Sequence, residues 1–417
     1  MEKTPKSLRL QIGLFGRTNV GKSSFLNMVA GQDVAITSPV PGTTTDVVEK
    51  VMELLPLGPV VFLDTAGLDD VSTLSDLRIK KTKKIFDRSD IILLVTEPNI
   101  WTDFEDYVCS EALKRNIPYV VVVNKIDVEA PQKTLLERLR KKTEKVVCVS
   151  SVQKDKRDSF VNGLKEQLVT CCPEDFIKPP ALVGDLMPKG GTALLIIPID
   201  LEAPKGRIIL PQVQVIRDTL DASGVSIIVK ETEYLKVLGD LKTPPDIVVC
   251  DSQVVDRMVK ETPKNVSCTT FSILFARMKG DLSEMSRGVV AIDNLKKGDR
   301  ILIAESCSHH AVEDDIGRVK IPRWLKKYTG LDLKIDVCAG RDYPEYLKGY
   351  KLAILCGSCM LTRRETLSRM YHAQQAGVSV TNYGVCISFL QGVLERVLTP
   401  FPQALKAFQD EKAKKQR

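Results

Sequence analysis

The stretch GRTNVGKS, residues 16 to 23, has the spacing G-x-x-x-x-G-K-[ST] that phosphate chemistry uses. Gly16 and Gly21 let backbone N–H groups close on phosphate oxygens, and Lys22 reaches the β and γ oxygens. The Ser23 hydroxyl is placed for magnesium, with Val20 and Ser24 on the same loop. Further along, VVFLDTAGL ends an apolar run on Asp64, whose carboxylate can hold magnesium through water. Gly67 follows where its N–H can sense the γ-phosphate. YVVVVNKID then brings Asn124, Lys125 and Asp127 to the end of another apolar run. A carboxylate at Asp127 accepts from N1–H and the 2-amino group of guanine, donors that adenine lacks. A site built on such bonds rejects the analogue without them. The nucleotide is read as GTP, with Ser150 and Ser151 of VVCVSS on the base side.

The second group is KLAILCGSCM, residues 351 to 360, in which Cys356 and Cys359 stand in C-x-x-C spacing. Such a pair suits a metal, a redox dithiol or a core. CSHH, residues 307 to 310, adds Cys307, His309 and His310, and Cys338 ends another apolar run. Thiolates with an optional histidine suit zinc or an iron–sulfur cluster. Structural zinc favours close ligand pairs at both ends, which CSHH does not supply. A thioredoxin-like dithiol needs no distant third cysteine.

These residues need strands to position them. LQIGLF before the glycine loop, and the runs ending at Asp64, Val123 and Val149, predict an N-terminal P-loop α/β fold. CCPEDFIKPP reads as a linker. Beyond it, strands over 192–199, 225–229 and 246–250 alternate with helix-period stretches, as do DRILIAESC, LKIDVC, YKLAILC and VSVTNYGV in the last third. The expected architecture is α/β with three domains, a GTPase fold followed by two smaller α/β domains with mainly parallel sheets. The boundaries fall at 1–172, a linker 173–183, 184–265 and 266–417. In an open parallel sheet all strand C-termini lie along one edge, where loops form ligand sites. Cys307, Cys338 and Cys356 would meet there, with Cys359 joining them.

Composition narrows the class. With 43% hydrophobic and 27% charged residues the chain is ordinary for a globular protein. Its apolar runs fall short of the roughly 20 residues of a membrane span, and the nucleotide motif starts too early for a signal peptide. A cytoplasmic protein without membrane partner is expected, and an odd count of 11 cysteines argues against a disulfide framework. The formal charge of +7 is spread along the chain, so nucleic-acid binding is not expected as its main task.

The nucleotide motifs, in this order, resemble the translation-factor-related GTPases, and PGTTTD at 41–46 resembles the Era and tRNA-modification branch. That resemblance implies Thr44 as the switch threonine and magnesium ligand, joining Lys22 and Gly67 at the reacting phosphate. It also implies that Asn19 assists a potassium ion. Leu68 stands where Ras-like proteins carry the water-orienting glutamine, so hydrolysis is expected to be slow and potassium-stimulated. Asp69 or Asp76 could help position water.

PIDLEAPKGRIILPQVQ, CSHHAVEDDIGRVKIPRW, CGSCMLTRRETLSRM and GVSVTNYGV together resemble the HydF family of FeFe-hydrogenase maturation GTPases over essentially the whole chain. The resemblance implies a GTPase domain, a dimerisation domain and a cluster-binding domain, in a homodimer or higher oligomer. It implies a 4Fe–4S cluster on Cys307, Cys356 and Cys359, with His309 as a further candidate ligand. It also implies a two-iron subcluster precursor as cargo, and the apo-hydrogenase and radical-SAM maturases as partners. The family motif is C-x-H, a spacer, then H-C-x-x-C, and Leu355 replaces its second histidine. That substitution favours an open fourth iron position, for which His309, His310 and Cys338 are local candidates. An Era-like GTPase with structural zinc, acting in RNA modification or ribosome assembly, is the alternative.

Overall fold

The structure is a computed structural model that describes residues 5–31, 48–64, 76–177, 180–199, 208–306, 315–340, 343–344 and 346–415. The chain divides into two compact units, Met1–Pro179 and Pro180–Arg417.

The first unit is built on six strands: β1 Leu10–Phe15, β2 Val48–Leu54, β3 Gly58–Asp64, β4 Ile91–Thr96, β5 Tyr119–Val123 and β6 Val146–Cys148. Their order is β2-β3-β1-β4-β5-β6, with β2 antiparallel to β3 and the other neighbours parallel. Continuous apolar runs such as IILLVT and YVVVV fit strands covered on both faces. Because side chains alternate across a strand, Ile91, Leu93 and Val95 enter one apolar core while Ile92 and Leu94 enter the other. The helices Lys22–Ala30 and Arg157–Cys171 pack on the first face. The helices Asp76–Arg88 and Asp103–Lys114 pack on the second. The C-terminal ends of β1, β3, β4, β5 and β6 therefore share an edge, and the glycine loop, Asp64, the Asn124–Asp127 loop and Ser150–Ser151 lie at the ends of β1, β3, β5 and β6.

The second unit holds two four-stranded parallel sheets. In the first, β7 Thr192–Ile196, β8 Val225–Val229, β9 Ile247–Cys250 and β10 Ser267–Thr270 are ordered β10-β9-β7-β8. The strand expected over 192–199 ends at Ile196, and the sheet continues past residue 265 because β10 supplies its outer strand. β10 reads SCTT, too short and polar to register as an apolar run. In the second sheet, β11 Arg300–Ala304, β12 Lys334–Cys338, β13 Tyr350–Leu355 and β14 Ser379–Asn382 are ordered β12-β11-β13-β14. Both sheets feed one continuous apolar core, which runs from Leu194 and Val248 through Phe275 to Leu302 and Ile354.

Close backbone packing fixes how this core is assembled. A Cβ on Gly288 would stand 1.9 Å from the Val380 carbonyl oxygen, so only glycine lets the helix Leu282–Gly288 lie against β14. Among the described residues no helix is long and apolar enough to cross a membrane.

Candidate nucleotide site and cysteine-bearing sheet edge

β1 delivers the chain into the glycine loop at Phe15. Gly16 adopts φ +155°, and a Cβ there would lie 2.4 Å from the Val95 carbonyl of β4. Gly21, at φ +91°, begins the helix Lys22–Ala30, and a Cβ there would meet Asn124 Nδ2 at 2.5 Å. Both positions thus require glycine for conformation and for space. Lys22 is buried and its Nζ donates to the Gly16 carbonyl at 2.6 Å and the Arg17 carbonyl at 3.0 Å. Ser23 and Ser24 are exposed at the start of the helix, where unsatisfied backbone N–H groups favour an anion. Val20 contributes through its backbone alone, since its side chain is fully buried in the core.

Asn124 holds the base side to the phosphate side. Its Nδ2 donates to the Val20 carbonyl at 2.9 Å, and its Oδ1 accepts from Ser151 N at 3.2 Å and Ser151 Oγ at 2.8 Å. Ser150 Oγ accepts from Val152 N and Gln153 N at 3.4 and 3.3 Å, shaping the turn behind it. Asp127 is exposed on the loop after β5. Asp64 is buried at the end of β3 with Lys50 Nζ 3.9 Å away. Exposed Ser23, buried Asp64 and the glycine-lined loop suit a magnesium–nucleotide complex, and Asn19, exposed at φ 66°, projects from the same loop. Thr44, Gly67, Leu68 and Asp69 lie outside the described residues, and Asp76 opens the helix Asp76–Arg88.

In the second unit, register brings the cysteines to one edge. Ala304 of β11 pairs with Cys338 on one side and Leu355 on the other. The ladder runs one step further, since Glu305 N donates to the Cys338 carbonyl at 2.9 Å and Cys356 N to the Ala304 carbonyl at 3.0 Å. Cys356 Sγ accepts from Ser306 N at 3.1 Å and Ser358 N at 3.5 Å, and Ser306 Oγ lies 2.8 Å from it. Ser358, at φ 54°, turns the chain so that Cys359 packs back on the core.

Burial pushes the Cys359 thiol up to about 11, with the nearby Cys356 adding to the rise and Lys279 opposing it. Burial likewise pushes Cys338 up to about 11, opposed chiefly by Arg369. These two thiols resist losing the protons that a metal would have to displace. A sulfur receiving backbone N–H groups, with further thiols and buried cations beside it, is a donor set that fits a thiolate-ligated cluster. Cys307, His309 and His310 lie outside the described residues, and among the described residues no three His, Cys, Asp or Glu side chains converge as a metal site. Leu355, standing where the family motif has histidine, is 1% exposed and packed in the core. Every described cysteine is a free thiol.

Sequence reasoning missed the polar groups around both sites. Arg17, Glu97 and Asn99 tie the nucleotide loops together, and Lys279, Ser306 and Arg369 line the cysteine edge. The one available signal was T-x-x-E at Thr102–Glu105, a capping box that fixes the carboxylate holding Arg17.

The fold and the first site define a P-loop GTPase, here joined to two small parallel-sheet modules. Residues 11–125 match the family model described as 50S ribosome-binding GTPase. Residues 182–280 match the hydrogen maturase F dimerization domain, and residues 283–400 match the hydrogen maturase F tetramerization domain. The chain belongs to the hydrogen maturase F family, HydF. A tRNA modification GTPase MnmE from Prochlorococcus marinus (strain NATL2A) is 36% identical over 160 residues, covering 37% of this chain and 34% of that protein. A GTPase Era from Thermoanaerobacter sp. (strain X514) is 35% identical over 170 residues, covering 39% of this chain and 54% of that protein. The chain thus spans between a third and about half of these relatives' length. Among solved structures, an Era variant from Aquifex aeolicus bound to GDP and aluminium fluoride is 27% identical with a TM-score of 0.31, covering 39% of this chain and 57% of that one.

Proposed function

We propose that this chain is a GTP-hydrolysing carrier in FeFe-hydrogenase maturation, one that binds a 4Fe–4S cluster and delivers a two-iron subcluster precursor to the apo-hydrogenase. The observation that carries the cluster reading is the Cys356 sulfur, fixed at the end of a central strand and receiving N–H groups from Ser306 and Ser358. Cys307, Cys356 and Cys359 would hold the cluster, with His309 or Cys338 beside an open fourth iron. When bound, the cluster would supply an iron site able to bridge to a second metal unit. The chain's own part is to present sulfur from a rigid strand end and to surround it with hydrogen-bond donors.

At the nucleotide site, Lys22, Thr44 and Gly67 would act on the γ-phosphate, Ser23, Thr44 and Asp64 would hold magnesium, and Asn19 would hold potassium. Magnesium would neutralise charge developing on the phosphates. Asn124, Lys125, Asp127, Ser150 and Ser151 would recognise guanine. Hydrolysis would be slow and potassium-stimulated. GTP would bias domain arrangement or partner release, since a γ-phosphate orders switch segments. The working division is a GTPase domain over 1–172, a linker over 173–183, then a dimerisation part that extends through β10 and a cluster-binding part after it, in a cytoplasmic homo-oligomer that meets the hydrogenase apoprotein and radical-SAM maturases.

Anaerobic reconstitution followed by EPR, with and without an added exogenous ligand, tests cluster type and site openness together. Replacing Cys307, Cys356 or Cys359 by alanine should abolish the signal and spare GTP hydrolysis. Colourless protein holding stoichiometric zinc would overturn the reading in favour of a structural-zinc GTPase.

A further inference from the structure

The loop after β4, residues 97 to 101, lies between the two halves of the nucleotide site. Glu97 Oε1 is 2.5 Å from Lys125 Nζ, and Glu97 Oε2 is 3.6 Å from Arg17 Nη2. Lys125 belongs to the base-reading loop, and Arg17 to the glycine loop whose carbonyls receive Lys22. One carboxylate therefore faces one cation from each loop.

Arg17 has a second anchor, whereas Lys125 is met by Glu97. Arg17 Nε donates to Glu105 Oε1 at 2.7 Å, and Glu105 is fully buried and locked to Thr102 N at 2.8 Å and Thr102 Oγ at 2.5 Å. Arg17 Nη2 is buried with no hydrogen-bond partner among the described residues, so Glu97 is its nearby anion. On the base side, Asn99 Nδ2 donates to Glu129 Oε1 at 2.6 Å and to the Ala130 carbonyl at 3.3 Å. Asn99 Oδ1 accepts from Gln132 N at 2.8 Å. The segment from Glu97 to Asn99 thus grips the base loop at both ends, and only Glu97 extends the grip to the phosphate loop.

We propose that Glu97 is a positioning residue for the guanine nucleotide: by bridging Lys125 and Arg17 it holds the base loop and the phosphate loop at one spacing, and so sets how long a bound nucleotide stays. A nucleotide is gripped at both ends at once, and each grip raises the effective concentration of the other most when the spacing matches the nucleotide. Without the carboxylate, two cations face each other across the site and the Lys125 stem loses its anchor. Release of GDP and GTP is then faster by a common factor, because the contact lies away from the γ-phosphate.

The inference rests on guanine-nucleotide binding at this site, and the test separates the two. Dissociation of fluorescent GDP and GTP analogues from the full chain is followed by stopped flow for wild type, Glu97→Gln, Glu97→Ala and Glu97→Asp, each checked by thermal melting. Glu97→Gln keeps the size and loses the charge, and should release both nucleotides about fivefold faster, the scale of a partly exposed ion pair. The gap from wild type should narrow as salt rises, since salt screens the wild-type bridge. Glu97→Asp, which keeps the charge, should fall between them. Equal release from wild type and Glu97→Gln, or a gap that ignores salt, overturns the role of Glu97. Failure of wild type to bind any guanine nucleotide overturns the site reading instead.

Discussion

The ammonium of Lys279, 2% exposed, donates to the carbonyl of Leu361 at 3.0 Å, two residues beyond Cys359. In the opposite direction, Arg363 Nη1 donates to the carbonyls of Met278 and Gly280 at 2.8 and 3.0 Å. The helix Phe271–Lys279, which leaves the first sheet of this unit, is thereby bonded in both directions to the turn that carries the C-x-x-C pair. Replacing Lys279 by methionine keeps the stem and leaves the Leu361 carbonyl without this donor. Chemical denaturation should report a loss of ~1–3 kcal/mol, with faster amide exchange over residues 359 to 363. Unchanged exchange in that turn would refute the coupling.

Asn124 is the direct tie between base loop and glycine loop, and its donor and acceptor are both used. Asn124→Ala should weaken GDP binding by about thirtyfold, or ~2 kcal/mol, as read by calorimetry. Affinity within twofold of wild type would show that these bonds do not shape the site.

Ser306 offers two polar atoms to the Cys356 sulfur, and alanine removes only the hydroxyl. If a cluster is held there, Ser306→Ala should lower its midpoint potential in an EPR-monitored titration, because hydrogen bonds to sulfur stabilise the more negative reduced state. A potential that stays put would place the cluster away from Cys356.

β8 is an outer strand whose Val225 and Ile228 are 51% and 47% exposed. An uncovered apolar strand edge invites pairing with another chain, and this strand lies in the region matched by a dimerization domain. Ile228→Lys should shift the oligomer towards smaller species in analytical ultracentrifugation at unchanged helix content.

Alkaline pH should unfold the second unit through its buried thiols. Burial pushes Cys268 up to about 11 and Cys386 up to about 12, from an ordinary 9.0. A thiol whose folded value is raised stabilises fully below its unfolded value and ceases to do so as pH rises through the folded one. Stability should therefore hold up to about pH 9 and decline towards 11–12, and Cys268→Ala should flatten part of that decline in denaturation curves taken at stepped pH.

Legibility of the chain in its sequence followed chemical specificity. The glycine loop, Asp64, Asn124 and Asp127 were readable because each position admits few residue types. The apolar strands of the last third were readable because a buried parallel strand is apolar on both faces. β10 was not, since four residues reading SCTT carry no hydrophobic period. The bridge from Glu97 to Arg17 and Lys125 was not, because single charges far apart in sequence meet only when β4, β1 and β5 are laid side by side. Lys279 read as one more helical lysine, and its burial depends on a turn some eighty residues later.

The continuous core beneath both sheets of the second unit has an evolutionary consequence. The dimerization and tetramerization matches meet between residues 280 and 283, yet Phe275 on one side and Leu302 and Ile354 on the other belong to the same apolar cluster. A cut at that seam would strip the interior from both halves, so neither can be traded between genes as an independent cassette. Changes at β8 and at the cysteine edge are thus inherited as a single folding unit.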